Sequence, residues 1–366
     1  MIILKNTKPL KTLLNSQLKG QLKLIAEEHN IDLPKKIKKA ELVEILSDFI
    51  PKQFYDDVIF FTGNELFIYA EKIRDIIRDL DSEKKPGLNL KDLNINMDNE
   101  ELDKTKAALV ADPWSLSFLT ASGYGFRMNK GSDNFYEVPE ELVHLYFKKI
   151  EALGSEFNHY QLLQIYILAM VNLYGVCTYK QLYDLFKRNN RFNFSFEKVR
   201  DYIEQLSDKR AMVEATEDDF YNIFLKPSQY DMLVEYNQYR KYYSPDKDEI
   251  LFYADGLLGP EAEPIFKELA ELLFFKTTVR NPFDAQEELA VGDGEWVDEV
   301  YEAILNQIKV ASKIGDGVAS LLEILYIPDC TFDSLNDQDR FFKLYLELVD
   351  KTRKWALKGA LYSDLK

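Results

Sequence analysis

Lysines crowd the opening of this chain: Lys11, Lys19, Lys23, Lys35, Lys36, Lys38 and Lys39 all fall within its first forty residues. Ammonium groups at this spacing do no bond-breaking chemistry, but they neutralise phosphates. Residues 1–52 carry 10 Lys against 6 Asp/Glu, whereas the remainder carries 36 basic against 56 acidic residues. Such an asymmetry marks a basic head that suits a polyanion, DNA or RNA. Lys35, Lys36, Lys38 and Lys39 frame a loop that enters a helix, and free amides at a helix N-terminus favour anions. Four phosphate contacts would give log K a slope of roughly −3 to −4 against log salt. That attraction is independent of sequence, and no base-reading side chain accompanies it. The same lysines also suit a solvated loop beside a structural helix pair.

A second basic group is Lys180, Lys187, Arg188 and Arg191. It surrounds the second of three helices expected over residues 159–206. The third, Phe196–Leu206, would be the reading helix of a DNA-binding unit. It carries Glu197, Lys198, Arg200, Asp201, Glu204 and Gln205, close to charge balance, and the following turn carries Glu214, Glu217, Asp218 and Asp219. Base reading needs Arg, Asn or Gln in a favourable potential, so contact with a protein outweighs contact with DNA here. Arg353, Lys354, Trp355 and Lys358 form a small basic and aromatic patch, read as a cap on the last helix.

Nothing else offers a reaction. Two cysteines, Cys177 and Cys330, and three histidines, His29, His144 and His159, exclude a disulfide framework and supply no zinc set. Cys177 follows His159, but a lone Cys in an apolar segment reads as core. The carboxylate pairs Asp218-Asp219, Glu287-Glu288 and Asp298-Glu299 read as solvated faces. Gly292-Asp293-Gly294 and Gly315-Asp316-Gly317 lack the context of a phosphate loop. The expectation is no enzyme, no cofactor and no metal. The most apolar stretch, Leu162–Val176, is broken by Gln164 and Asn172, so no membrane span is expected. The N-terminus lacks a signal peptide's apolar region, and the two thiols suit a reducing cytoplasm.

Apolar spacing lays out the elements that carry these residues. Leu18, Leu22 and Ile25 predict a first helix over Asn15–Ile31. A second helix follows from Lys39 to about Phe49, closed by Pro51. Further helices are expected at Gln53–Phe60 and Asn64–Leu80, then a polar linker Asp81–Asp103 and a hairpin around Lys130-Gly131. Pro139-Glu140-Glu141-Leu142 starts a helix, with Pro139 in its first turn. Tyr160–Tyr174 is apolar nearly all round. Thr178 caps Tyr179–Arg188, and Ser195 caps Phe196–Leu206. Met212-Val213 and Phe220–Leu225 make a small hairpin, giving the winged-helix order. Helices then occupy Glu261–Phe275, Glu295–Ala311, Gly317–Leu325 and Leu335–Leu357, in a stretch with 13 basic against 25 acidic residues from position 244 onward.

The phrase "NIDLPKKIKKAELVEIL" at 30–46 resembles the N-terminal helical module of the Rho termination factor and the related SAP-type modules. The resemblance implies contact with RNA in the first case and with DNA in the second. "VPEEL" at 138–142, "LYGVCTYKQLYDLF" at 173–186 and "RKWALKGALYSDL" at 353–365 are similar to bacterial proteins that open with a Rho-like module. Some of those end in a SEC-C zinc tail, which this sequence lacks. The expected architecture is mainly α and multi-domain. A two-helix SAP/Rho-N-like head spans 1–52, and a helical region with a linker and a short β segment spans 53–158. A central winged helix spans 159–243, and an acidic C-terminal helical domain spans 244–366. The expected role is a non-enzymatic, nucleic-acid-associated or regulatory adaptor in the cytoplasm. In it the winged helix or the acidic domain recruits a protein partner. The competing reading is a protein–protein interaction scaffold that binds no nucleic acid.

Overall fold

Leu42, Leu46, Ile50 and Phe54 recur every fourth residue, and that spacing puts them on one stripe of a helix. In the computed structural model all four are fully buried. The structure describes residues 3–4, 8–61, 118–130, 133–190, 194–210, 213–237, 241–280, 288–289, 295–315, 317–326 and 329–365. The expected helix Asn64–Leu80, the linker Asp81–Asp103, Arg191 and the turn Gly292-Asp293-Gly294 lie outside them. The chain is mainly helical and divides into two compact units, residues 1–162 and 163–366.

In the first unit, α1 (Leu10–Ser16), α2 (Lys19–Glu28) and α3 (Lys39–Asp57) precede a short 3-10 turn, Val58–Phe60. The helix expected over Asn15–Ile31 is the shorter α2, and α1, which the sequence reading did not assign, precedes it across a break at Gln17 and Leu18. Gln21 Oε1 accepts from the Leu18 amide at 2.9 Å, and Leu18, expected on the apolar side, is 73 % exposed. Pro51 does not close α3 but lies inside it. An interior proline costs about 3 kcal/mol. Burying Phe54 and Val58 beyond it returns about 2 kcal/mol for each side chain, so the helix continues. Strands β1 (Ile3–Leu4), β2 (Phe126–Lys130) and β3 (Asp133–Glu137) form a sheet in the order β1-β3-β2, with β1 parallel and β2 antiparallel to β3. The hairpin flanks Lys130-Gly131 as the sequence predicts. The helix α4 (Glu140–Leu153) follows Pro139.

The head does not stand alone. Leu13, Leu14, Leu22, Ile25, Leu46 and Phe54 share one core with Leu119, Tyr124, Leu142 and Val143. Gly123 makes this closure possible. Its φ is +68°, and a Cβ there would lie 2.9 Å from Ile50 Cδ1. The Tyr124 hydroxyl donates to Asp57 Oδ2 at 2.5 Å, and Lys8 pairs with the buried Glu137 at 2.9 Å.

The helix α5 (Ser155–Tyr174) leads into β4 (Val176–Thr178), α6 (Tyr179–Asn189), α7 (Phe196–Arg210), β5 (Val213–Ala215) and β6 (Asp219–Asn222). These strands form an antiparallel sheet in the order β4-β6-β5. Thr178 and Ser195 cap their helices as read from sequence: the Gln181 and Lys198 amides reach the two hydroxyls, each at 3.2 Å. Next come α8 (Pro227–Asn237) and α9 (Lys247–Asp255), which sequence reasoning left unassigned. They are followed by α10 (Glu263–Lys276), β7 (Thr277–Arg280), β8 (Glu288–Leu289), α11 (Glu295–Ile314), α12 (Val318–Tyr326), β9 (Thr331–Phe332) and α13 (Leu335–Lys351). Strand β7 lies between β8 and β9. Leu269, Leu273, Tyr301, Ile308, Leu321, Phe341 and Tyr345 are the centre of the core beneath them. The last helix ends six residues earlier than expected. Thr352 Oγ1 takes the Leu348 carbonyl at 2.6 Å and Lys354 Nζ takes that of Val349, so side chains satisfy the helix's last acceptors.

Two glycines separate strain from propensity. At Gly175 φ is +77° and a Cβ would sit 2.8 Å from Trp355 Cγ, whereas Gly20 is helical with nothing within 4 Å. Gly175→Ala should lower unfolding stability by about 2–4 kcal/mol. Gly20→Ala should raise it by about 0.5–1 kcal/mol. Urea titrations of both variants check the opposite signs.

Candidate functional site

The basic loop is built around one apolar side chain. Asn30 adopts a left-handed φ of 53°, and the Ile31 amide closes on the Ala26 carbonyl at 2.8 Å, which ends α2. The chain then runs through Pro34 to Ile37, which is buried in the core of the first unit. Anchoring Ile37 leaves its neighbours Lys35, Lys36 and Lys38 exposed. None of these three pairs with a carboxylate among the described residues.

Lys39 differs from the other three, because its ammonium donates to the Asn15 carbonyl at 2.7 Å and ties α3 to the end of α1. Lys11 is paired with Glu44 at 2.5 Å. Lys19 and Lys23 are exposed on α2. The amide end of α3 is partly occupied by its own chain: Glu41 Oε2 accepts from the Lys38 amide at 3.1 Å. The loop therefore offers three uncommitted cations rather than four, with a carboxylate at the helix end that weakens anion binding there.

In the second unit, α6 carries Lys180, Lys187 and Arg188. Lys180 forms an i,i+4 pair with Asp184 at 3.3 Å, Lys187 lies 5.4 Å above the Tyr183 ring, and Arg188 donates to Ser244 Oγ at 3.3 Å. On α7, Arg200 is paired with Glu204 at 2.7 Å, while Glu197, Asp201, Gln205 and Asp208 are exposed. Glu214, Glu217 and Asp218 are exposed around the β5–β6 turn. Asp219 is not part of that acidic tip. It is buried and accepts from Thr216 Oγ1 at 2.9 Å and from the Tyr230 hydroxyl at 3.0 Å, which holds the turn shut.

The patch expected at 353–358 is buried. Arg353 bonds Glu249 at 3.1 Å and Asp364 at 3.4 Å and stacks 3.6 Å from the Tyr243 ring. Lys354 donates to the Ser312 carbonyl at 2.8 Å, and Lys358 sits 4.2 Å over Tyr242. The Trp355 indole N–H donates to the Asn172 carbonyl at 3.0 Å. This segment therefore packs against "LYGVCTYKQLYDLF": Trp355 lies on Gly175, and Tyr174 and Leu173 lie on Gly359.

Beside it is a residue that sequence reasoning passed over. Lys313 of α11 is 0 % exposed, and its amine has no hydrogen-bond partner among the described residues. It lies 4.8 Å from the centre of the Tyr253 ring. Burial, then the charges of Lys354 and Arg353, hold its amine well below the ordinary lysine value. Burial also lowers Lys354, to about 7, against a smaller opposing pull from Asp350. No local pattern announces Lys313. It lies off the stripe Tyr301, Ile304, Ile308 and Ala311, and residues distant in sequence bury it.

The described residues hold no cluster of three or more His, Cys, Asp or Glu suited to a metal ion. Cys177 is fully buried, and its thiol is pushed up, first by burial and then by Asp219. A thiol held protonated in this way is a poor nucleophile. None of the described helices is long and apolar enough to cross a membrane.

A lysine whose folded value is depressed binds fewer protons folded than unfolded, so stability rises with pH between the two values and falls as pH drops toward the folded one. For Lys354 that window runs from about 7 up to the ordinary lysine value. Lys313→Met removes a buried amine that makes no hydrogen bond among the described residues, and should raise stability at pH 7 by about 1–3 kcal/mol. The gain should shrink toward pH 10, as read by urea unfolding at both pH values.

No protein-family model, curated protein or solved structure matches the chain.

Proposed function

We propose that the chain is a non-enzymatic adaptor whose basic loop holds a nucleic-acid backbone, while its second unit contacts a protein. The observation that carries this reading is the exposure of Lys35, Lys36 and Lys38 around the buried Ile37, without a carboxylate partner among the described residues. A loop pinned at its centre presents ammonium groups at little further entropic cost. The resemblance of residues 30–46 to the Rho and SAP modules points the same way. Lys39 contributes to the fold of the head rather than to phosphate binding.

We read residues 163–222 as a winged helix. The order helix, β4, α6, α7, β5, β6 supports this, as does the pairing of β4 with β6. The exposed acids of α7 and of the β5–β6 turn oppose a phosphate backbone, so this unit is assigned to protein contact. Lys180, Lys187 and Arg188 are a secondary basic strip beside it, with Lys180 already neutralised by Asp184.

A second reading, a scaffold without nucleic acid, is favoured by one observation: Glu41 already accepts from the first free amide of α3.

Fluorescence anisotropy with labelled single- and double-stranded oligonucleotides across a salt series separates the two readings. Three contacts predict a slope of about −2 to −3 in log K against log salt. Changing Lys35, Lys36 and Lys38 together to Glu should abolish binding, while Lys180→Glu should weaken it little. Absence of binding at low salt, or binding indifferent to the triple change, selects the scaffold.

A further inference from the structure

We propose that the surface around β9 is a docking site for an amphipathic helix of a partner protein, one whose apolar ridge is flanked by Lys or Arg. The site rests on the reading that the second unit contacts a protein.

Tyr326, Leu335 and Phe275 are 82 %, 81 % and 75 % exposed, the three highest values among the large apolar side chains of the described residues. Apolar residues scattered singly are ordinary on a folded surface. These three are gathered by the chain around one short strand. Phe275 is the last residue but one of α10, Tyr326 is the last of α12 and Leu335 is the first of α13. The Lys276 carbonyl takes the Asp333 amide at 2.9 Å and Thr277 pairs with Phe332, so the end of α10 is bonded to the chain that enters α13. The Tyr326 carbonyl takes the Asp329 amide at 3.0 Å and the Leu325 carbonyl takes that of Cys330 at 2.9 Å, which folds the end of α12 back toward β9. Leu322, also exposed, stands one turn before Tyr326 and extends the apolar surface along α12.

Charge selects the occupant. Each of the three has an exposed acid one helical turn away: Glu271 for Phe275, Glu323 for Tyr326 and Asp339 for Leu335. Asp333 is exposed between them. Lys276 and Lys343 are exposed cations nearby, and Arg340 is taken by Glu268. The balance is negative, so Lys or Arg beside the ridge of the partner complements it. A second copy of this chain would set the same acids against one another across a two-fold axis, at a formal net charge of −16 for each copy. Strand β9 has two residues, too short a template for an added strand, whereas a helix ridge can span the ends of three helices.

The test is fluorescence anisotropy of the full chain at physiological salt with a labelled amphipathic helical peptide of Leu and Lys. A Leu and Glu peptide of the same pattern and a Ser and Lys peptide of the same charge are the comparisons. The Leu and Lys peptide should bind, and the other two should not. Tyr326→Ser with Leu335→Ser should weaken binding about tenfold or more, as should Glu323→Lys with Asp339→Lys. Asp231→Lys with Glu235→Lys, exposed acids of α8, should leave it unchanged. Leu335→Ser alone replaces the first pair where that pair does not fold. No binding of the Leu and Lys peptide, or equal binding of the Ser and Lys peptide, overturns the proposal. Binding that survives both changes around β9 but is lost with Glu214→Lys and Asp218→Lys also overturns it, and leaves protein contact through the β5–β6 turn standing. A dimer in sedimentation velocity that Leu335→Ser abolishes assigns the surface to a second copy and overturns it as well.

Discussion

Where a side chain at position 175 would project, the indole of Trp355 is found. Gly175 turns the end of α5 into β4 at a φ of +77° that disfavours any Cβ. The indole N–H caps the Asn172 carbonyl one turn earlier. Asn172 also donates to the Tyr253 carbonyl at 2.8 Å and accepts from Asn222 Nδ2 at 2.9 Å. The Asn222 amide in turn takes the Gly175 carbonyl at 2.8 Å. The junction of Asn172, Gly175, Asn222 and Trp355 thereby joins α5, β6, α9 and the segment after α13. Because Asn222 is buried, Asn172 is half-buried and these groups are bonded to one another, loosening one weakens the rest, at up to about 1–3 kcal/mol for a group left buried and unpaired.

That closure decides the state of the basic residues near the C-terminus. With Trp355 seated, Lys354 follows inward, and its hydrogen bonds among the described residues go to the main-chain carbonyls of Ser312 and Val349. Arg353 keeps two carboxylates, Glu249 and Asp364, and so stays an ion pair. Lys313 receives neither. The difference between these three cations is one of available acceptors, and it is set by the path of the chain through Gly175, Lys358 and Gly359, all at positive φ.

Local signals carried much of the layout. Thr178 and Ser195 each precede a run with helical spacing, and both cap as expected. The hairpin at Lys130-Gly131 and the start of α4 behind Pro139 were equally plain. What escaped was short or non-local. Strand β4 has three residues, too few for alternation to show, and it exists because β6 offers a partner. Helix α9 did carry a signal: Asp246 and Glu249 form a reciprocal capping box, at 2.9 and 3.2 Å, at the spacing a sequence can reveal. Pro51 and Leu18 misled for opposite reasons. Burial of Phe54 and Val58 overrode the proline, while the break after α1 released a leucine that the periodicity had placed inside. Among the candidate residues, Lys35, Lys36 and Lys38 kept the exposure their sequence suggested. Lys39 did not, since a carbonyl from α1 was within its reach.

Formal charge is therefore a poor guide to what this surface displays. The net charge of −16 counts every lysine alike. Lys35, Lys36 and Lys38 stand in water, where a counter-charge beyond about 8 Å is screened at physiological salt. The field of these three ammonium groups is local, so charge farther off than that does not cancel it. Enclosure holds the Lys313 amine well below the ordinary lysine value and lowers that of Lys354 to about 7, so the two count for less at neutral pH than the formal sum gives them. The second unit also keeps charged cations, Lys180 paired with Asp184 and Arg340 with Glu268, and its enclosed lysines are the ones whose ammonium form burial disfavours.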